Sequence, residues 1–197
     1  LTAVLGFSNM LFTEQSESKR EEQLRVIQRC STVLLTMIDD VLDFSRADLG
    51  GYSLNNSSFA LDKLIEDLNS LFLLQAREKG LDFNVLIEEG VPKQIYGDSV
   101  RLAQIITNLV NNAIKFTEYG SVQLHLSALN LDEIHDDLKF AITDTGKGIV
   151  KDKIPTLFEP FTQEDTSINR QYGGSGLGLS IAKQLVNSMN GEIIINS

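Results

Sequence analysis

Cysteine and long apolar runs are scarce in this 197-residue sequence, and each scarcity excludes a structural class. Cys30 is the single cysteine, so the chain cannot form an internal disulfide, and a reducing compartment is expected. Apolar stretches such as Val33–Met37 and Leu71–Leu74 are much shorter than the roughly 20 residues that span a membrane. The sequence therefore predicts neither internal disulfides nor a membrane-spanning helix.

Positive charge is also in short supply, because 17 Lys and Arg residues face 27 Asp and Glu residues, a net charge of −10. This balance argues against nucleic acid or an anionic membrane surface as the main partner. It does not exclude ATP, because a local cluster of Lys, Arg and amide N–H groups can bind phosphate on an acidic protein. The hydrophobic content of 42% is typical of a soluble globular chain.

An initiator methionine and a signal peptide are both missing, and the chain opens directly in an apolar-periodic segment. We therefore interpret the sequence as part of a longer protein. Its length suits one core, or one domain with an appendage.

The first 50 residues have the spacing of two helices, Leu1–Thr13 and Glu21–Ser45, joined by the polar turn Glu14–Lys19. The second helix carries a coiled-coil-like seam of apolar residues: Leu24, Ile27, Leu34, Ile38 and Val41. Because two antiparallel helices cannot cover both apolar faces, residues 1–50 are predicted to form a homodimeric four-helix bundle. The alternative is that this hairpin packs against the rest of its own chain.

The glycine-containing segment Leu49–Tyr52 ends the hairpin and marks the boundary of a second domain, residues 51–197. Apolar periodicity there predicts helices at Leu61–Lys79, Arg101–Thr117 and Gly176–Asn190, and strands at Leu81–Ile87, Val122–Ser127, Leu138–Thr143 and Glu192–Asn196. An acidic loop is predicted at Leu131–Asp137. The fold class is therefore α+β: a helical hairpin followed by an α/β sandwich, with helices on one face of a mixed sheet.

The helix Arg101–Thr117 has two contrasting faces, and Asp98 is placed to cap its N-terminus. One face is an apolar stripe expected to be buried: Leu102, Ile105, Ile106, Leu109 and Ala113. Asn108, Asn112 and Lys115 lie at i, i+4 and i+7 on the other. Asparagine is a mediocre helix former, and one reason for placing it here twice is a site for a Mg²⁺-nucleotide. This helix alone favours a solvated polar face, and only the motifs that follow in the chain reverse that interpretation.

Three further motifs follow along the chain. Asp144–Ile149 places a carboxylate and two glycines after a strand, where the carboxylate could accept a hydrogen bond from an adenine amine; an ordinary turn is the alternative. Thr156–Phe161 is an aromatic pair around a proline, and Thr162–Tyr172 has a length that suits a lid. Gly173–Leu179 puts glycines before a helix N-terminus, which favours anion binding, although it is neither a P-loop nor a Rossmann fingerprint.

Taken in this order, the four motifs resemble the N box, first glycine box, F box and second glycine box of sensor histidine kinases. More broadly they resemble the Bergerat-type ATP-binding fold shared with gyrase, chaperone and mismatch-repair ATPases. The hairpin is similar too: L-T-A-V-L-G-F-S from Leu1 looks like the helix after the phosphoacceptor box, and V-L-D-F-S-R at Val41–Arg46 looks like the second dimerisation helix. The pattern is closest to the class that often carries an appended receiver domain.

The resemblance implies a role for each matching residue. Asn112 would coordinate Mg²⁺, with Asn108 and Lys115 near the metal and the phosphates, and Asp144 would bind the adenine amine. The remaining ATP-binding residues would be Gly146 and Gly148 around the adenine, Gly174, Gly176, Leu177 and Gly178 around the phosphates, and Arg170 at the γ-phosphate. Lys115 and Arg170 would stabilise the transition state.

Asn108 also separates kinases from hydrolases. Hydrolytic relatives carry a glutamate there as general base, and an amide cannot activate water, so transfer to a side chain is favoured. The phosphoacceptor histidine itself is absent, because neither His125 nor His135 lies in a matching motif and the match starts just after that box.

The predicted function is thus a histidine protein kinase core of a two-component system, acting in the cytoplasm with ATP and Mg²⁺. Its partners would be a second copy of itself and a response-regulator receiver domain. The alternatives are an ATPase of the same fold and a non-catalytic nucleotide-binding scaffold.

Overall fold

The computed structural model describes residues 2–11, 16–48, 53–131, 136–160, 162 and 176–197. The helices are α1 (Thr2–Leu11), α2 (Glu17–Asp48), α3 (Leu61–Glu78), α4 (Ser99–Phe116) and α5 (Gly178–Ser188), with a short 3-10 helix at Lys151–Thr156. The strands are β1 (Ser57–Ala60), β2 (Asp82–Ile87), β3 (Gln94–Gly97), β4 (Ser121–Leu131) and β5 (Asp136–Asp144). No helix in these ranges combines the length and the apolar character that crossing a membrane requires.

The helical hairpin of α1 and α2 leaves much of its apolar seam in solvent. Leu24, Ile38 and Val41 are 53%, 46% and 52% exposed. Leu5, Met10, Leu35 and Leu42 are other large exposed apolar side chains of the hairpin. Helix α2 also contacts α5, so the hairpin packs on its own chain while these apolar side chains remain exposed.

The main sheet is mixed, as predicted. Strand β2 pairs parallel with β4, and β4 pairs antiparallel with β5. Val122, Leu124 and Leu126 of β4 alternate into the core, where α3 and α4 cover them. Phe72 of α3 meets Phe83 of β2 edge-to-face, with ring centroids 5.7 Å apart. The predicted fold class is confirmed.

A second, two-stranded sheet of β1 and β3 was not predicted from the sequence. Each of its strands has only four residues, too few to show a convincing period-two pattern. The small sheet fixes the entry into α3 and into α4, because β1 leads directly into α3 and β3 ends one residue before the α4 cap.

Asp98 caps helix α4, as predicted. Its Oδ1 accepts hydrogen bonds from the backbone N–H groups of Val100 (3.1 Å) and Arg101 (3.0 Å). Its Oδ2 accepts one from the Asn55 N–H (2.9 Å), which ties the segment before β1 to α4. Burial alone would raise the pKa of this carboxyl, but the backbone hydrogen bonds and the Arg101 guanidinium outweigh it and hold the pKa below its usual range.

One predicted strand and several predicted bounds were wrong. The predicted strand Glu192–Asn196 is absent, because residues 191–197 form no backbone ladder with the described strands. Helix α5 is shorter than Gly176–Asn190, since Gly176 (φ 72°) and Asn190 (φ 58°) both adopt left-handed backbone outside it. Helix α2 starts at Glu17, inside the predicted turn.

Strand β4 extends to Leu131 and β5 starts at Asp136, so both enter the predicted acidic loop. Residues 132–135, with His135, lie outside the described residues, as do the boundary residues 49–52.

Asp98→Asn is expected to lower the free energy of unfolding by about 1–2 kcal/mol at neutral pH, because the cap loses charge and one acceptor oxygen. A depressed native pKa stabilises the fold above the ordinary Asp pKa, and this contribution is lost as pH falls through the native pKa. The difference between wild type and variant should therefore shrink in acid. Urea unfolding at pH 7 and pH 3 measures it, with the exposed helix-start variant Asp62→Asn as control; a pH-independent difference would contradict the assignment.

Candidate functional site

Helices α4 and α5 bring the first asparagine of the polar face to the second glycine box. The Asn108 Nδ2 donates a hydrogen bond to the Gly178 carbonyl oxygen (3.2 Å). A Cβ on Gly178 would lie 3.5 Å from the Asn108 Oδ1, so the two helices approach closely here. A small apolar cluster lies behind this contact: Ile105, Leu177, Ile181, Ala182 and Leu185. The N-terminus of α5, with its positive dipole end, therefore lies beside Asn108.

Asn112 and Lys115 follow Asn108 along α4 and are half-buried. The Asn112 carboxamide makes no hydrogen bond to any residue that the structure describes, so its oxygen is available to a ligand. Desolvation lowers the pKa of Lys115 from its ordinary value, which marks an ammonium held partly out of water.

Phe116 joins the end of α4 to the first glycine box, a role that the sequence reasoning missed. The Lys115 Nζ lies 5.2 Å from its ring centroid and the Lys147 Nζ lies 5.7 Å from it. Both ammonium groups are within cation–π range of one ring. The sequence signal was that Phe116, an aromatic residue, directly follows Lys115 and lies outside the predicted apolar stripe of the helix.

The loop after β5 has glycines at two positions where its backbone geometry requires or favours them. The Gly146 N–H donates to the Asp144 Oδ1 (2.9 Å), which orients the carboxylate at the strand end. A Cβ on Gly146 would lie 2.7 Å from the Phe116 carbonyl oxygen and 2.8 Å from the Asp144 Oδ1. Any larger residue must displace the loop, so Gly146 is required by close approach. Gly148 has a φ of 69°, in the left-handed region that favours glycine.

Thr145 anchors this loop to the turn that follows α4, and the sequence reasoning did not single it out. The Ser121 N–H donates to the Thr145 Oγ1 (3.0 Å), and the Thr145 N–H donates to the Ser121 carbonyl oxygen (3.1 Å). The Thr145 hydroxyl donates in turn to the Tyr119 carbonyl oxygen (3.2 Å). A Cβ on Gly120 would collide with the Thr145 Oγ1, so the threonine and the glycine fit only as a pair.

The remaining predicted residues divide into two groups. Gly176 and the buried Leu177 are described and directly precede α5. Arg170, Gly174 and Phe161 lie outside the described residues, as do residues 163–175 as a whole.

The F box aromatic Phe158 lies under the Lys183 Nζ of α5, which is 4.9 Å from the ring centroid. His125, on the outer face of β4, has its Nε2 2.8 Å from the Glu88 Oε1.

No cluster of three acidic, histidine or cysteine side chains that could hold a metal occurs in the part of the chain that the structure describes. The donor set is nevertheless suited to Mg²⁺ bound together with a nucleotide. Mg²⁺ typically takes only one or two protein oxygens and completes its shell with phosphates and water. The available Asn112 amide oxygen fits that pattern.

Comparison with known proteins matches both halves of the chain. Residues 97–197 match the family described as Histidine kinase-, DNA gyrase B-, and HSP90-like ATPase, and residues 1–50 match the His Kinase A (phospho-acceptor) domain. Signal transduction histidine-protein kinase BarA of Escherichia coli K12 is 38% identical over 197 residues, which cover 100% of this chain and 22% of BarA. Hybrid signal transduction protein dokA of Dictyostelium discoideum is 38% identical over 196 residues, which cover 98% of this chain and 12% of dokA.

Among solved structures, full-length ShkA in complex with AMPPNP is similar with a TM-score of 0.73 and 30% sequence identity. The similarity covers 95% of this chain and 38% of ShkA. These matches confirm the predicted resemblance to histidine kinase catalytic cores, the hybrid class included. The chain spans only a minor part of each of these relatives.

Gly146→Ala is expected to weaken ATP binding about tenfold, because relieving the contact with the Phe116 carbonyl displaces the Asp144 loop. Titration with a fluorescent ATP analogue measures the change. Gly97→Ala is the matched control, since its Cβ would meet only the Phe59 ring at 3.9 Å. Equal affinities for both variants would contradict the proposed loop geometry.

Proposed function

Because the chain belongs to the histidine kinase-, DNA gyrase B- and HSP90-like ATPase family, we propose that it is the catalytic core of a histidine protein kinase. It transfers the γ-phosphoryl group of ATP to a histidine on the dimerisation helix of the parent protein, for relay to a receiver aspartate. The match of residues 1–50 to a phospho-acceptor domain supports the acceptor half of this proposal.

The contact between Asn108 and the Gly178 carbonyl carries the proposal. It brings the polar face of α4 to the helix terminus that favours phosphate, so one end of a nucleotide can contact both elements. The residue at this contact is an amide. It lacks the basicity to take a proton from water, which favours transfer to an imidazole over hydrolysis.

In this proposal the nucleotide lies between the Asp144 loop and the N-terminus of α5. The Asp144 Oδ2 makes no hydrogen bond to a described residue, and it accepts from the adenine amine while Oδ1 stays bonded to Gly146. Gly146 and Gly148 admit the base, and Gly174, Gly176, Leu177 and Gly178 present backbone N–H groups to the phosphates. Asn108 keeps α4 in contact with the start of α5.

Phosphoryl transfer needs positioning and charge neutralisation more than covalent help from the protein. The partly desolvated Lys115 ammonium neutralises phosphate charge more strongly than a fully hydrated one. Arg170 adds a guanidinium at the γ-phosphate. Asn112 holds Mg²⁺ through its amide oxygen, and the bound metal supplies further charge neutralisation on the phosphates.

The acceptor test uses this chain extended upstream through the phospho-acceptor box and incubated with γ-labelled Mg-ATP. We expect acid-labile, base-stable label on the protein. Asn112→Ala should reduce labelling by roughly 100-fold, as expected for removal of one electrostatic stabiliser. Asn111→Ala, exposed on the same helix, is the matched control and should label like wild type.

Other outcomes separate the alternatives. Steady release of free phosphate without retained label would assign the chain to the ATPases. ATP binding with neither label nor release would leave a nucleotide-binding scaffold, and the kinase proposal would be wrong.

We further propose that residues 1–50 form a homodimer, that a receiver domain is the phosphoryl acceptor of the relay, and that this part of the protein works in the cytoplasm. The uncovered apolar surface of the hairpin supports the homodimer, because burying it in a four-helix bundle removes that surface from water.

Ile38→Glu is expected to convert the dimer into a monomer at micromolar concentration, because it would bury a carboxylate in the bundle. Sedimentation velocity measures the state. Leu74→Glu is the control, since Leu74 is 60% exposed on α3, away from the hairpin. A dimer that persists in Ile38→Glu would place the interface elsewhere.

A further inference from the structure

The side chain of Lys79 reaches from the end of α3 to the last turn of α4. Its Nζ donates hydrogen bonds to the carbonyl oxygens of Ile114 (2.7 Å), Lys115 (2.7 Å) and Thr117 (2.9 Å). An ammonium has three N–H donors, and here three converging carbonyls receive them. All three acceptors are backbone carbonyls, so through these bonds Lys79 holds the backbone at the end of α4.

A tight turn at the C-terminus of α3 fixes the backbone position of Lys79, from which its side chain extends to α4. The Gly80 N–H donates to the Arg77 carbonyl (3.0 Å) and the Leu81 N–H to the Ala76 carbonyl (2.9 Å), the two hydrogen bonds of a Schellman motif. Gly80 has the left-handed φ of 73° that this motif needs. Leu81 and Ala76 are buried, so the turn is fixed in the core with Lys79 at its corner.

The ammonium satisfies a specific electrostatic need of α4. The last carbonyls of a helix have no intrahelical donor, and the C-terminus carries the negative end of the helix dipole. The Lys79 ammonium donates to these carbonyls and also places a positive charge at the negative end of the dipole, in a partly buried environment. Desolvation lowers the pKa of Lys79, and the nearby Glu118 opposes that shift.

The turn that Lys79 holds is the one on which both halves of the site converge. Its backbone positions Lys115, and the carbonyl of the next residue, Phe116, is the group that Gly146 approaches closely. Buried Thr117 closes the turn by donating from its Oγ1 to the Ala113 carbonyl (2.8 Å). A shift of this turn therefore moves the phosphate-side lysine and the adenine-side loop together.

We propose that Lys79 is a positioning residue of the nucleotide site, which holds the C-terminal turn of α4 so that Lys115 and the Asp144–Gly148 loop meet one nucleotide. This inference rests on the proposed function, because it assigns Lys79 to ATP binding. We assign Lys79 no catalytic role, since its ammonium is bonded to three backbone carbonyls at the end of α4.

Lys79→Met tests the inference in the chain extended through the phospho-acceptor box. Methionine keeps most of the apolar stem and removes the three donors. The KM for ATP should rise about tenfold, comparable with losing one hydrogen bond to a charged group, while kcat at saturating ATP stays within about twofold. Bound nucleotide then restores the turn. Lys63→Met is the matched control, because Lys63 lies exposed on the same helix, 3.5 Å from Asp67, and should leave both constants unchanged.

The split between KM and kcat distinguishes positioning from a purely structural cap. A lower melting temperature with an unchanged KM would overturn the inference, since it would show that Lys79 only stabilises the fold. An equal KM rise in Lys63→Met would overturn it too, by showing a nonspecific effect of lost charge. If Lys79→Met does not reach the wild-type circular dichroism spectrum, Lys79→Gln replaces it. The KM for ATP should then rise about threefold, less than for methionine, because glutamine keeps two N–H donors.

The experiment also separates this inference from the function on which it rests. A wild-type chain that neither binds ATP nor becomes labelled would overturn both. An active wild type with an unchanged Lys79→Met would overturn the positioning role alone and leave the kinase proposal intact.

Discussion

Helix α4 is held at each end by one charged side chain bonded to backbone groups, and the described site depends on where this helix lies. Asp98 accepts from the first-turn N–H groups, and Lys79 donates to the last-turn carbonyls. Each charge opposes the dipole end that it meets, so both interactions favour the helix electrostatically. Asp98 also accepts from the Asn55 N–H, and Lys79 reaches over from the end of α3, so each end of α4 is bonded to another segment of the chain.

That constraint explains how a site can form from separate segments of the chain. Asn108 contacts the start of α5, while Phe116, two turns further along, contacts the loop after β5. Because a helix is stiff over this length, α4 sets the distance between the start of α5 and the loop after β5. The Thr145 hydrogen bonds to Ser121 and Tyr119 then tie the loop to the turn that leaves α4. The site is thus organised by backbone contacts around one helix.

The hairpin leaves more of its apolar residues exposed within one chain than the second domain does. Its seam was predicted from apolar spacing, and the structure leaves Leu24, Ile38 and Val41 largely exposed although α2 also packs against α5. Packing within one chain therefore covers only part of the apolar surface. The ATP-binding region, in contrast, buries its apolar stripe internally through α3, α4 and the sheet. The second domain therefore has a core of its own, whereas the exposed apolar side chains of the hairpin support the homodimer proposed above.

The sequence by itself determined the fold class, most helices and strands, and the polar face of α4, because periodicity and capping are local and Asp98, Asn108 and Gly146 carry local signals. It failed at β1, β3 and the expected final strand, since pairing in a sheet depends on partners distant along the chain. Only the tertiary structure decided the roles of Phe116, Thr145 and Lys79. The partners of Thr145 and Lys79 are backbone atoms up to 38 residues away, and backbone atoms of any residue type look alike in the sequence. The Phe116 ring meets Lys147 of the loop after β5, a contact that only the fold creates.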